Sequence, residues 1–130
     1  MHIKDYLTRK GHEVLDVGTN RAERVDYPLY AEKAAKAVME GGYENGVLVC
    51  GSGVGMAIAA NKINGIRAVV CSEPYSARLA KEHNNANIVA FGARVVGTAV
   101  AETIADAFIE SVFEGGRHQK RVDMLRALES

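Results

Sequence analysis

The sequence predicts an α/β protein, a three-layer α/β/α sandwich around a parallel sheet, and three observations predict it. Unbroken Val- and Ile-rich runs at residues 46–50, 66–71 and 87–91 have the apolar continuity of strands covered on both faces, not the alternation of a half-exposed sheet. Between them lie segments with helical spacing, and strands alternating with helices join by right-handed crossovers into parallel pairing. Glycine and proline stand where those helices should stop and start.

The elements follow in order. Residues 1–10 read as a helix, with Ile3, Tyr6 and Leu7 on one stripe and Gly11 placed to end it. Residues 13–17 read as a short strand, and the polar stretch 18–26 as a loop. Pro28 suits the first turn of an alanine-rich helix capped by Asp26 and stopped at Gly41-Gly42. Helices are expected at residues 54–63, 74–82, 98–113 and 119–128, with Gly115-Gly116 dividing the last two. Doubly wound domains open with a strand near the middle of the sheet. This chain opens with a helix, which leaves on the order of fifteen residues of strand and turn unaccounted for.

At 130 residues, 48% hydrophobic and 25% charged, the chain fits one domain, 1–130, with a sizeable core. Lys plus Arg and Asp plus Glu balance at 16 each, so neither nucleic acid nor a membrane surface is the expected partner. No apolar run approaches the roughly 18 residues of a membrane span. Cys50 and Cys71 each end an apolar run with no secretory segment before them, which points to free thiols in a reducing cytoplasm. His2, His12, His83 and His118 show no metal-ligand spacing and neither cysteine lies in a C-x-x-C pair, so no structural metal is expected.

The chemistry concentrates at Val47-Leu48-Val49-Cys50-Gly51-Ser52-Gly53-Val54-Gly55-Met56, where a buried strand runs into a thiol, a hydroxyl and three alternating glycines. The helix expected next would put this loop at a helix N-terminus, where bare N–H groups and the macrodipole favour an anion. Cys50 admits two readings. One is a small buried hydrophobe, as Cys71 is read; the other is a general base whose thiolate the loop stabilises. The glycines likewise mark either a tight turn or an oxyanion cradle in which Ser52 and the N–H groups of Gly53, Val54 and Gly55 donate to a developing charge. Their spacing by two, with the next strand ending at Cys71, fits a dinucleotide site poorly.

His83 falls in a helix-to-strand turn, at the opposite sheet end from Cys50. Within one subunit it should not reach that thiol, though it could serve a partner's site; otherwise it is a solvated or capping histidine. Asn84 and Asn85 suit positive φ. Arg117 and Arg121, four apart, share a helix face, and two guanidiniums so placed suit a phosphate. A solvated basic turn is the alternative, and Arg94 after Gly92 is a lone candidate of the same kind.

Seven segments in order carry a resemblance: Asp26-Tyr27-Pro28, Cys50-Gly51-Ser52-Gly53-Val54-Gly55, Ala59-Ala60-Asn61-Lys62, Tyr75-Ser76-Ala77-Arg78, Glu82-His83-Asn84, Phe91-Gly92-Ala93-Arg94 and Glu114-Gly115-Gly116-Arg117-His118-Gln119. Over nearly its whole length the chain resembles the type B ribose-5-phosphate isomerases, themselves similar to galactose- and allose-6-phosphate isomerases. The resemblance implies a Rossmann-like or flavodoxin-like fold. It also implies a cofactor-free aldose-ketose isomerisation of a small phosphorylated sugar through an enediolate, as in the pentose phosphate pathway, in a homodimer or homotetramer with shared active sites. Cys50 then matches the base, and Ser52 with Gly51 and Gly53 to Gly55 the cradle. His83 matches the residue that assists ring opening from across the interface, and Arg117 and Arg121 match phosphate ligands, also from the partner. Tyr27, Asn84 and Arg94 match substrate-contacting positions. Such relatives open with a strand ending in Gly-x-Asp-His-x-Gly, which has no counterpart here. The expectation is a truncated form, less stable and less active. A non-catalytic sugar-phosphate-binding protein is the reading from another class.

Overall fold

The computed structural model describes residues 2–17 and 27–129. The expected loop at 18–26, with its Asp26 cap, lies outside them. In chain order the elements are α1 (His2–Arg9), α2 (Tyr27–Glu40), β1 (Gly46–Cys50), α3 (Val54–Ala60), β2 (Ala68–Val70), α4 (Pro74–Asn84), β3 (Ile88–Gly92), α5 (Thr98–Glu110) and α6 (Arg117–Arg126). The sheet is parallel with order β1-β3-β2. No helix among the described residues is long and apolar enough to cross a membrane.

The middle strand explains the layering. All five residues of β3 are buried, and the period of two sends them alternately to opposite faces. Ile88 and Ala90 join Ala31, Ala35, Met56 and Ala60 of α2 and α3 in one core. Val89 and Phe91 join Ile3, Leu7, Ala77, Ile104 and Phe108 of α1, α4 and α5 in the other. Alanine recurs on the inner faces of α2 and α3, which lets these helices lie close to the sheet.

Polar side chains lock the strand ends. Asn61, just past α3, donates through Nδ2 to the Ala68 carbonyl at 2.9 Å and accepts from the Ala68 N–H at 2.8 Å. Asn87 accepts from the Arg67 N–H at 2.7 Å and donates to the Gly65 carbonyl at 2.9 Å. These clamps shorten both α3 and β2 relative to the expected 54–63 and 66–71. Helix α4 instead runs two residues further than expected, because Asn85, at φ 48°, supplies the left-handed turn that stops it.

The strand expected at residues 13–17 is not one. The segment is irregular, and among the described residues β1 pairs only with β3. A short apolar stretch such as Val14, Leu15 and Val17 supplies propensity, but a strand exists only where its N–H and C=O groups meet a neighbouring ladder. Here a cavity of about 660 Å³, lined by Leu7, Val14, Val17, Leu48 and Met56, lies along the outer edge of β1.

Candidate active site

Strand β1 ends at Cys50, whose register partner is Gly92 at the end of β3. The two strand ends are stitched together beyond the sheet: Ala93 N–H donates to the Cys50 carbonyl at 2.7 Å and Arg94 N–H to the Gly51 carbonyl at 3.1 Å. The approach is close enough that a Cβ on Gly92 would lie 2.5 Å from the Gly51 carbonyl oxygen. Gly53, at φ 84°, turns the chain into α3, and a Cβ there would sit 2.9 Å from the Phe91 backbone. Both positions therefore require glycine, one for space and the other for space and φ together.

This turn aims the functional groups. The Gly53 N–H donates to the Cys50 sulfur at 3.1 Å, a bond that a thiolate accepts more strongly than a thiol. The Val54 N–H donates to the Ser52 hydroxyl oxygen at 3.3 Å. Helix geometry leaves the Gly55 and Met56 N–H groups without intrahelical acceptors. The Tyr27 ring lies against Gly55, and the Arg94 side chain runs past Gly51. Cys50 is partly exposed, whereas Cys71 is buried and its thiol is pushed up to about 11 by burial and then by Glu73. The two strand-ending cysteines thus differ in exposure and in what surrounds them.

A second group forms at the other end of the sheet. His83 lies in the last turn of α4 and Arg117 starts α6. The segment between α5 and α6 is tied to α4 by the Glu114 N–H donating to the Glu82 carbonyl at 3.0 Å. The His83 and His118 rings stack with centroids 4.3 Å apart and planes 12° apart. Glu114 Oε1 lies 3.9 Å from His83 Nε2 and 3.6 Å from His118 Nε2. Burial first, then the charges of His83, Arg117 and Arg121, hold His118 below the ordinary imidazole range, with Glu114 opposing. The neutral ring is therefore favoured over the charged one relative to a free imidazole. Arg117 and Arg121 are exposed on the outer face of α6 while His118 and Val122 face inward. Asn84 is exposed at the end of α4.

The structure thus gathers Tyr27, Cys50, Gly51, Ser52, Gly53, Val54, Gly55 and Arg94 at the carboxyl end of the sheet. It gathers His83, Asn84, Arg117 and Arg121 at the other end, about a strand length away. The sequence reading missed His118 and Glu114. Their signal is the pair His118 and Val122, one inward face of α6, with Glu114 three residues ahead of that helix.

The Ribose/Galactose Isomerase family model matches residues 1–125. Ribose-5-phosphate isomerase B of Escherichia coli is 55% identical over 98% of this chain and 85% of its own length. D-erythrulose-4-phosphate isomerase of Pectobacterium atrosepticum is 43% identical over 95% and 82%. The solved ribose-5-phosphate isomerase B of Clostridium thermocellum superposes with a TM-score of 0.94 at 48% identity, covering 97% of this chain and 85% of that one. The chain shares the fold of that solved enzyme, and it belongs to the ribose/galactose isomerase family.

Proposed function

We propose that this protein is an aldose-ketose isomerase that interconverts ribose 5-phosphate and ribulose 5-phosphate, with no cofactor. The observation that carries the reading is the accessible Cys50 sulfur, held by the Gly53 N–H at the mouth of a glycine turn. The 55% identity to an enzyme named for this substrate supports it. The carbon-bound proton leaves C2 for the Cys50 thiolate and returns to C1, while the hydroxyl hydrogen passes from O2 to O1. Between these transfers the enediolate charge rests on oxygens that Ser52 and the N–H groups of Gly53 to Gly55 stabilise. Tyr27 and Arg94 line the approach to this turn and contact the sugar.

The remaining residues act on a neighbouring subunit in a homodimer or homotetramer. His83 assists opening of the furanose ring, Asn84 contacts the substrate, and Arg117 and Arg121 grip the phosphate. Their placement a strand length from Cys50 within one chain supports sharing, since one small sugar phosphate cannot span both groups. We read the setting as the cytoplasm, which the two free thiols support.

Turnover of ribose 5-phosphate by the wild type and by Cys50→Ala tests the chemistry; equal rates would refute the base assignment. Tight binding of the sugar phosphate without turnover in the wild type would favour a binding protein instead. Mixing Cys50→Ala with Arg121→Ala, assayed at ribose 5-phosphate well below the KM of the arginine variant so that each parent alone is nearly silent, tests the sharing. Hybrid dimers regain one intact site, so random mixing should restore about a quarter of the wild-type rate in a symmetric dimer. No recovery would place each site within one chain.

A further inference from the structure

We propose that His83, Glu114 and His118 form a binding site for a borderline divalent transition ion, zinc above all, and that an ion held there withdraws His83 from the sugar. The ion is an inhibitor, not a cofactor or a structural metal. Its binding stands on the geometry alone. Only the inhibition rests on the ring-opening role proposed for His83.

The three candidate ligand atoms lie within 4.8 Å of one another. Ligand atoms around a tetrahedral zinc, with bonds of roughly 2.0–2.1 Å, stand roughly 3.3 Å apart, so the site needs to contract by roughly 1.5 Å at most. Two imidazoles and one carboxylate are the donor set of zinc sites that keep an open position. The frame is built before any ion arrives. The Glu114 N–H is tied to α4, and the His118 N–H donates to the Gly115 carbonyl at 3.0 Å. His118 is the fixed ligand, with its side chain only 9% exposed, while those of His83 and Glu114, at 36% and 53%, have room to turn onto the ion from the solvent side. Because the stacked rings are nearly parallel, His83 must rotate to aim its lone pair, which breaks the stack.

Arg117 and Arg121 adjoin the site and oppose a second cation, with Glu114 the carboxylate that offsets them. That opposition decides the ion class. Magnesium and calcium, which seek oxygen ligands, gain too little from imidazole to overcome it, whereas zinc, cobalt and nickel bind imidazole well.

The test uses untagged, chelator-stripped protein titrated with Co²⁺ as a spectroscopic probe and with Zn²⁺ by calorimetry. The expected result is one ion per chain, with affinity falling at least tenfold in both Glu114→Gln and His118→Gln, the range typical of losing a ligand or its support. Glu114→Gln changes an exposed side chain and so guards against misfolding of the buried His118 variant. Zinc should also slow ribose 5-phosphate turnover, reversibly by chelator, and magnesium should not. Binding that survives both substitutions, or that disappears only with His2→Gln or His12→Gln, overturns the site. Should the enzyme turn over no ribose 5-phosphate at all, the cobalt spectrum still decides the binding.

Discussion

The backbone N–H of Gly53 donates to the sulfur of Cys50 across 3.1 Å, and the same residue makes the left-handed turn that starts α3. One glycine therefore both shapes the loop and places an N–H donor on the Cys50 sulfur. Replacing Cys50 with Ala or Ser should cut turnover of ribose 5-phosphate by about 10²- to 10⁴-fold, the range for loss of a general base. Thermal stability should change little, because the side chain is only partly buried. Steady-state kinetics alongside a melting curve checks both. A serine variant retaining a tenth or more of the activity would contradict the thiolate.

Gly92 controls the same loop from the other strand. A methyl group there would meet the Gly51 carbonyl oxygen at 2.5 Å and the Ser52 Cα at 2.6 Å, so backbone must move. Gly92→Ala should cost about 1–3 kcal/mol of stability, as overpacking does. It should also displace Ser52, lowering kcat at least tenfold in protein that is still folded. Gly42→Ala, where a Cβ meets nothing within 4 Å, is the control. Its φ of 79° costs about 1 kcal/mol of strain with kcat intact.

How much of this was legible in the sequence depended on how local the signal was. The three strands were readable from their unbroken apolar runs, but the burial on both faces that such runs report holds at every position only in β3, while β1 and β2 are partly exposed. The glycine turn was readable because Cys50, Gly51, Ser52 and Gly53 are neighbours in the chain. Residues 13–17 were misread as a strand because pattern carries propensity while pairing depends on what lies alongside. The stack of His83 on His118 joins residues far apart in sequence, and Arg117, the residue beside His118, drew attention by its charge. Only the fold shows that His118 points inward.

Lys81 supplies a prediction that the sequence did not suggest. It is 8% exposed, donates to the Asn45 side-chain oxygen, and carries its ammonium 4.3 Å from the centre of the Phe108 ring. Burial pushes it down to about 8, with Glu44 opposing and Arg67 assisting. Below pH 8 both folded and unfolded chains hold the proton, and the buried charge costs stability. Between about pH 8 and the ordinary value near 10.5 the folded chain releases it first, so the unfolded chain binds more protons and stability rises with pH. The gain approaches about 3 kcal/mol at ~1.4 kcal/mol per pK unit. Urea midpoints at pH 7.5 and 9.5 should diverge in the wild type and differ less in Lys81→Met. A rise with pH that is the same in the variant would assign it to other groups.

Arg117 and Arg121 stand one helical turn apart with side chains exposed and their backs to the buried His118 and Val122. Among the described residues neither guanidinium forms an ion pair, so removing the charge should leave stability unchanged while, on the proposed role, weakening the hold on a phosphate. Each Arg→Ala substitution deletes charge-assisted hydrogen bonds worth about 1.5–3 kcal/mol, which is roughly a ten- to hundredfold rise in KM for ribose 5-phosphate. Arg→Lys keeps the charge but loses the planar fork, so it should recover only part of that loss. Inorganic phosphate as a competitive inhibitor gives an independent reading: its inhibition constant should rise in parallel with KM in both alanine variants. A KM that rises while phosphate inhibition stays unchanged would mean that these two guanidiniums hold some other part of the sugar.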